Sequence, residues 1–444
     1  MSIISKLKNN EIRLPVWFGQ LLSYIPYSCR PMVGAGYRVK RKEISDYEKM
    51  SEEEKRDYIF KNVYAIVKYA LENIQFYQQF YASHAFSLED LKSYEDIQKI
   101  PVLRKADLLS FPIEQRTNMN VPKFLAHTGG SSGHTLSFYV QPSSFGNEGA
   151  HIHRMWSFLG FRPSDLKLYI AGRTKVRDGV DYEFARHTLS VDMYRPYSET
   201  APRLVKMLKK HPCFYLHGYP SVLAEFANYC KSDAELLGLL KGRLRGAFLS
   251  SEYPYPKYRD VIEDTFGIKS QSFYGHTERC VMAYETEEKF HYCPFQTYGY
   301  TEAVKSENGD YHLVGTCYGN MASPLIRYDT EDVISNPVYE GGILKFFDIK
   351  EGRSGQFIAD ADGRMISLTG LIMGRHHKLF DYCEHIQVHQ DKPGFATVYY
   401  VLKPGTEIAE PENMFDSENI GIQFSFEQKD KPVRTVSGKV NLLV

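Results

Sequence analysis

The sequence predicts an α/β protein built from a large N-terminal domain and a small α+β C-terminal domain. Short apolar runs alternate with helical periodicities through residues 144–274, the pattern of parallel strands layered with helices. Beyond about residue 290 the pattern changes to short strands parted by Asn-Gly, Gly-Asn and Gly-Gly turns. The stretch Gly352-Arg353-Ser354-Gly355 then reads as a hinge, which divides the chain into 1–351 and 352–444.

Residues 51–83 read as one long helix. Ser51 and Glu54 form a capping-box pattern. Tyr58, Ile59, Val63, Ile66, Val67, Ala70, Ile74 and Tyr77 follow at three- and four-residue steps, a stripe for the core. Helices are predicted over 144–159, 200–210 and 221–230, and strands over 167–171, 213–216, 244–249 and 270–274. Further strands are predicted at 298–304, 310–315, 342–348, 395–402 and 420–426.

The 444 residues are 43% hydrophobic and 24% charged, which is ordinary globular usage and room for several domains. Lys+Arg and Asp+Glu number 54 each, so the chain lacks the basic surplus that would mark a nucleic-acid partner. Seven scattered cysteines do not make a disulfide framework, and a reducing, cytoplasmic setting is expected. Cys280, His291, Cys293 and Cys317 are soft-ligand types, but no Cys-x-x-Cys pair occurs and buried thiols beside a core histidine are the simpler reading. No run reaches the ~20 apolar residues of a spanning helix. The apolar stretch Leu14-Pro15-Val16-Trp17-Phe18-Gly19-Gln20-Leu21-Leu22 is short; it reads as a segment packed on the body, with peripheral membrane contact as the sharper alternative.

Four stretches carry candidate chemistry. Thr128-Gly129-Gly130-Ser131-Ser132-Gly133-His134-Thr135 is a small-residue loop whose backbone N–H groups and hydroxyls can cradle phosphate oxygens, although no Gly-Lys-Ser/Thr closes it as in a Walker loop. Ser272-Phe273-Tyr274-Gly275-His276-Thr277-Glu278 places an aromatic and a carboxylate where a buried strand ends, the end at which open α/β sheets bind ligands. The aromatic can stack on a base and the carboxylate can hold Mg²⁺. Pro324-Leu325-Ile326-Arg327-Tyr328-Asp329-Thr330-Glu331-Asp332 reads as an apolar strand running into an Arg and acids, with Asp332 suited to ribose hydroxyls and Arg327 to a phosphate. Gly352-Arg353-Ser354 and the late Ser437-Gly438-Lys439 complete the set.

Taken singly, each stretch also fits a loop, a turn or a solvated strand end. In their order along the chain they resemble the core motifs of the adenylate-forming superfamily of acyl- and aryl-CoA ligases, luciferases and adenylation domains. Residues 99–108, His217-Gly218-Tyr219-Pro220-Ser221 and Ser251-Glu252 extend the similarity to the phenylacetate–coenzyme A ligase family and its capsule-biosynthesis CapK-like branch. The resemblance implies ATP and Mg²⁺ as cofactors, and a carboxylic acid activated as acyl-AMP and passed to a thiol or amine, coenzyme A being one such acceptor. It implies that Thr128, Gly129, Gly130, Ser131, Ser132 and Gly133 wrap the β- and γ-phosphates. Glu252, Tyr274, Gly275 and His276 would line the adenine site, Thr277 would touch the α-phosphate and Glu278 would hold the metal. Asp332 would bind the ribose with Arg353 nearby, and Lys439 would be delivered by a mobile C-terminal domain. His217 and Tyr219 are the candidates for the acid pocket. A role in surface-polysaccharide synthesis follows by analogy with the branch.

Four departures stand out. His134 and Thr135 occupy positions where the superfamily usually has Lys and Pro, Glu331 stands for the Gly before the ribose-binding Asp, and Gln356 stands for the hinge Asp. The loop and hinge changes motivate a rival reading, a non-catalytic nucleotide-binding relative; a nucleotidyltransferase is a third reading.

Overall fold

The computed structural model describes residues 14–31, 33–128, 136–172, 176–306, 309–349, 356–373, 375, 377–403, 405–433 and 442–444. A hairpin of β1 (Phe124–His127) and β2 (Ser137–Val140) comes first. The strands β3 (Lys167–Ile170), β4 (Val180–Glu183), β5 (Thr188–Val191), β6 (Tyr215–Gly218), β7 (Gly246–Leu249) and β8 (Lys269–Gly275) follow, interleaved with helices Tyr197–Lys210, Pro220–Ser232 and Pro256–Phe266. Then come β9 (Met282–Glu285), β10 (His291–Pro294), β11 (Gly299–Lys305), β12 (Tyr311–Cys317), β13 (Tyr328–Glu340) and β14 (Ile343–Ile349). The C-terminal part carries the hairpin β15 (Phe357–Ala359) and β16 (Met365–Ser367), and the sheet β17 (Cys383–Lys392), β18 (Phe395–Leu402) and β19 (Gln423–Gln428).

Twelve of these strands form one continuous ladder, in the order β11-β12-β13-β14-β10-β9-β8-β7-β6-β3-β5-β4. The β5-β3-β6-β7-β8 run is parallel, as the helix–strand alternation predicts. From β8 onward through β9, β10, β14, β13, β12 and β11 the pairing is antiparallel. β8 belongs to both halves. Its first residues, up to Ser272, pair with β7, while Phe273, Tyr274 and Gly275 pair with β9. The carboxyl end of β8 therefore lies at the junction of the parallel and antiparallel parts.

Two large apolar cores flank this junction. One is formed by β3–β7 and their helices, with Leu168, Leu216, Phe226, Ala247 and Ile262 all buried. It runs without a break into Ile358, Ile366, Leu371, Leu379 and Val388 of the C-terminal part. The other lies between the β9–β14 strands and the helices Glu52–Asn73 and Gln75–Ser83. A smaller aromatic cluster of Trp156, Phe161, Tyr215 and Phe248 sits beneath the parallel strands.

The capping box forms as the sequence predicts: Ser51 Oγ accepts the Glu54 N–H, and Glu54 accepts the Ser51 N–H at 2.7 Å. Ile59, Val63, Ile66, Val67 and Ala70 form the buried stripe. The single helix expected over 51–83 is two helices, because Ile74 is extended (φ −133°, ψ 113°) and Phe76 N–H donates to Gln115 O at 2.9 Å. That long-range bond turns the aromatic run Phe76, Tyr77, Phe80 and Tyr81 into the core at a new angle. The apolar strand expected from Pro324 is not laddered at its start: the chain bends at Ile326 and Arg327, Arg327 has φ +46°, and β13 begins only at Tyr328. The strand expected over 213–216 is laddered from Tyr215 to Gly218. The 352–355 hinge lies outside the described residues.

Candidate active site

β8 delivers Tyr274 to the junction, and β13 delivers Asp332 opposite it. The Tyr274 hydroxyl donates to Asp332 Oδ2 at 2.5 Å. Burial, reinforced by the Asp332 carboxylate, holds the Tyr274 phenol well above its ordinary value, so it remains a donor. Beyond Tyr274 the chain turns sharply, with the Arg279 N–H on His276 O at 3.1 Å. This turn leaves Thr277 exposed and half-buries Glu278.

Glu278 is held on both oxygens. Its Oε2 lies 3.1 Å from His276 Nδ1, and the Tyr328 hydroxyl approaches Oε1 at 3.5 Å. The other nitrogen of His276, Nε2, accepts the Val281 N–H at 3.1 Å, which leaves Nδ1 to carry the proton toward Glu278. Cys280 Sγ lies 3.4 Å from the same Nε2. Burial pushes the Glu278 carboxyl up, but His276, the residue's own backbone N–H and Lys105 together bring it below the usual carboxylate range. Glu278 is thus an ionised carboxylate facing the end of a strand.

Lys105 is the site residue to which sequence reasoning assigned no role. The segment before it is stitched to the start of β13: Leu103 N–H donates to Arg327 O at 2.9 Å, and Asp329 N–H to Leu103 O at 2.9 Å. Lys105 Nζ consequently sits 3.4 Å from Glu331 Oε2 with its own side chain only 9% exposed. The only sequence signal was its position within the stretch 99–108 that carries the resemblance.

Glu331 has φ +63°, in the left-handed region that glycine occupies without steric cost. The departure from Gly at this position thus falls on backbone shaped for Gly. Arg327 requires a correction. It is buried, not poised for a phosphate: Nε and Nη2 donate to Glu302 Oε1 and Oε2 at 2.7 and 2.9 Å, and Nη1 donates to Gln98 O and Ile100 O at 2.8 and 2.5 Å. A guanidinium saturated by a bidentate carboxylate and two carbonyls is a structural anchor.

The other candidates occupy the same edge of the sheet. β6, β7 and β8 are parallel, so the segments that follow Gly218, Leu249 and Gly275 emerge side by side. His217, near the end of β6, is half-buried with Trp156 and Tyr169 rings each 4.9 Å away. Tyr219 is buried and opens the helix Pro220–Ser232. After β7, Ser251 takes φ +68° and Glu252 turns back, so that its Oε2 accepts the Ser221 N–H at 3.2 Å and the Ser221 hydroxyl at 2.6 Å. This carboxylate at a helix start ties the loops after β6 and β7 together.

Thr128 closes the small-residue loop. Its N–H donates to Leu136 O at 2.9 Å, and its Oγ1 accepts the Leu136 N–H at 2.9 Å. The β1–β2 hairpin is in turn fixed to the segment leading into β13, through Tyr139 N–H to Ser323 Oγ at 3.2 Å and Asn320 Nδ2 to Tyr139 O at 2.8 Å. At its base, His127 meets Asp381 of the C-terminal part at 2.9 Å. Gly129, Gly130, Ser131, Ser132, Gly133, His134, Thr135, Arg353 and Lys439 lie outside the described residues.

Among the described residues no group of three metal-ligating side chains occurs. Cys280 contacts His276, His291 pairs with Asp348 at 2.8 Å, and Cys317 is a buried free thiol. One ionised carboxylate does suit Mg²⁺, which usually takes one or two protein oxygens and completes its shell with phosphates and water. Glu278 is the described residue that fits this role.

The fold has counterparts among known structures. Over 89% of its length the chain superposes on 90% of 2-hydroxyisobutyryl-CoA ligase, solved with 2-HIB-AMP and CoA in the thioesterification state, with a TM-score of 0.55 and 17% identity. An open conformation of that ligase gives a TM-score of 0.54, also at 17% identity, over 89% of this chain and 92% of the other. The chain shares the fold of an acyl-CoA ligase. No protein-family model and no curated protein matches the sequence. The likeness therefore lies in the architecture: a large mixed sheet with helices and a smaller C-terminal α+β part.

Proposed function

We propose that this protein activates a carboxylic acid as its acyl-AMP, with release of pyrophosphate from ATP, and then passes the acyl group to a thiol or amine. The observation that carries the proposal is the Tyr274–Asp332 hydrogen bond at the carboxyl end of β8, with the Glu278 carboxylate held just beyond it by His276 and Tyr328. An aromatic face, a ribose-type acceptor and a cation-binding carboxylate there are the parts an adenine nucleotide needs.

In this reading Tyr274, Gly275, His276 and Glu252 line the adenine site, and Asp332, oriented by the Tyr274 hydroxyl, accepts from the ribose. Thr128 anchors the loop of Gly129, Gly130, Ser131, Ser132 and Gly133 around the β- and γ-phosphates, while Thr277 faces the α-phosphate. Glu278 holds Mg²⁺, which supplies charge neutralisation at the phosphates. A carboxylate oxygen of the acid attacks the α-phosphorus, and the bond to the β-phosphate oxygen breaks. Lys439, with Arg353 near the ribose, offsets the charge that gathers there. The acceptor then attacks the acyl carbon and AMP departs. His217 and Tyr219, with Trp156 and Tyr169 beside His217, form the acid pocket. The C-terminal part 352–444 moves between the two steps. Coenzyme A is one acceptor compatible with the fold, and a role in surface-polysaccharide synthesis is the corresponding biological setting.

Glu278→Gln keeps shape and removes charge. It is expected to lower the rate of acyl-AMP formation by ~100-fold or more while ATP still binds. Asp332→Asn is expected to weaken ATP binding by about tenfold, near 1.4 kcal/mol. Isothermal titration with ATP and a single-turnover assay separate the two effects. An unchanged rate in Glu278→Gln would remove this residue from the site.

A further inference from the structure

The first described helix, Val16–Ser23, is docked inside out. The residues it buries fully, Gly19 and Ser23, are small or polar, while Val16 packs partly buried against the main core. Gly19 is buried against Tyr182, and a Cβ at that position would lie 1.9 Å from the Tyr182 hydroxyl oxygen. Gln20 Nε2 donates to Ser164 O at 3.3 Å, and Gln20 Oε1 lies 3.1 Å from His187 Nε2. Ser23 is buried, and its hydroxyl bonds back to Gln20 O at 2.7 Å. The large apolar side chains point the other way. Trp17 is 59% exposed, Leu21 62%, Tyr24 70% and Ile25 49%, with Phe18 edge-on to Trp17. Trp17 and Leu21 lie four residues apart on the helix, and Tyr24 and Ile25 follow directly from its C-terminal end. A soluble surface gains nothing from this arrangement, because the same helix turned over would bury these side chains.

The local charge indicates what covers the face. Residues 1–42 hold eight Lys and Arg (Lys6, Lys8, Arg13, Arg30, Arg38, Lys40, Arg41 and Lys42) against one acid, Glu11, in a chain whose two charge classes balance overall. Arg38 is exposed, Lys42 is exposed and paired with Asp46 at 2.6 Å, and Lys40 is paired with Glu43 at 2.7 Å. Trp and Tyr with an apolar stripe and nearby cations are the composition of a helix lying in the headgroup layer of an anionic bilayer. No described helix is long and apolar enough to cross a membrane, so contact would be at the surface. We propose that the face formed by Trp17, Phe18, Leu21, Tyr24 and Ile25 docks the protein on an anionic lipid surface. It thereby holds the active site beside substrates or acceptors that reside in the membrane. The docking claim stands apart from the proposed activity and is tested without it.

The test uses the full chain with phosphatidylcholine vesicles, with and without about one-quarter phosphatidylglycerol, read by co-sedimentation and by Trp emission. Trp156 is buried, so a blue shift on binding reports Trp17. The expected result is binding to the anionic vesicles and little to the neutral ones, weakened at high salt. A Trp17→Ser/Leu21→Ser variant with an unchanged melting temperature is expected to bind about tenfold or more weakly. No binding to anionic vesicles, equal binding to neutral ones, or binding indifferent to the double variant would each overturn the proposal. Concentration-dependent self-association that the double variant abolishes would overturn it too, and would give the face to a second copy of the chain.

Discussion

Tyr274 and Asp332 are 58 positions apart in the sequence and share a hydrogen bond of 2.5 Å. Both were legible as candidates because each sits at a recognisable break in pattern, a strand running into Gly or into acids. Their pairing was not legible, since nothing local reports which strand ends meet. Lys105 was missed for the same reason: its partner Glu331 is 226 positions away. Arg327 was misread because its partner Glu302 lies on β11, and a sequence shows an Arg among acids without showing which acid takes it. Glu331 carries a prediction at this scale. Its φ of +63° costs a residue with a Cβ about 1 kcal/mol, and glycine avoids that cost. Glu331→Gly is therefore expected to be about 1 kcal/mol more stable than Glu331→Ala, which loses the same ion pair but keeps the strain. Urea denaturation of the two variants measures the difference, and equal midpoints would contradict the backbone argument.

Elements were the most legible scale wherever their cause was local. The helix Glu52–Asn73 announces itself by a capping box and an apolar stripe, both of which form. Ser51→Ala removes the acceptor for the Glu54 N–H and is expected to cost about 1 kcal/mol, seen as a lower urea midpoint with an unchanged slope. A loss below about 0.3 kcal/mol would mean that the exposed cap is replaced by water. The break at Ile74 escaped notice because its cause, the bond from Phe76 N–H to Gln115 O, lies outside the helix. β8 shows the same limit. Its apolar run marks a strand, yet its change of partner from β7 to β9 after Ser272 is a property of the sheet. That change matters most for the site, because it opens the place where Tyr274 and Glu278 meet Asp332 and Tyr328.

For the whole molecule, the α/β class and the parallel run were readable from helix–strand alternation, whereas the continuity of one core from β3–β7 into Ile358, Leu371 and Val388 was not. Stability as a function of pH is also a property of the whole. Burial depresses His151 to about 3 and His187 to about 4, and both stay neutral inside. The unfolded chain takes up these protons near pH 6.5, before the folded one does, so stability is full above that value and falls as pH drops toward about 4. Each histidine contributes up to about 1.4 kcal/mol per pH unit within this window. Urea midpoints at several pH values should therefore decline below pH 6.5, and His151→Asn with His187→Asn should flatten the decline relative to the variant's own neutral value; an unchanged slope would contradict the assignment. The proposed chemistry is read in a single assay: pyrophosphate release from ATP and Mg²⁺ across a panel of carboxylic and amino acids, with hydroxylamine present to trap acyl-AMP. A hydroxamate with one class of acid is expected, lost in Lys439→Ala while ATP still binds. No pyrophosphate with any acid, together with no binding of ATP, would contradict that chemistry.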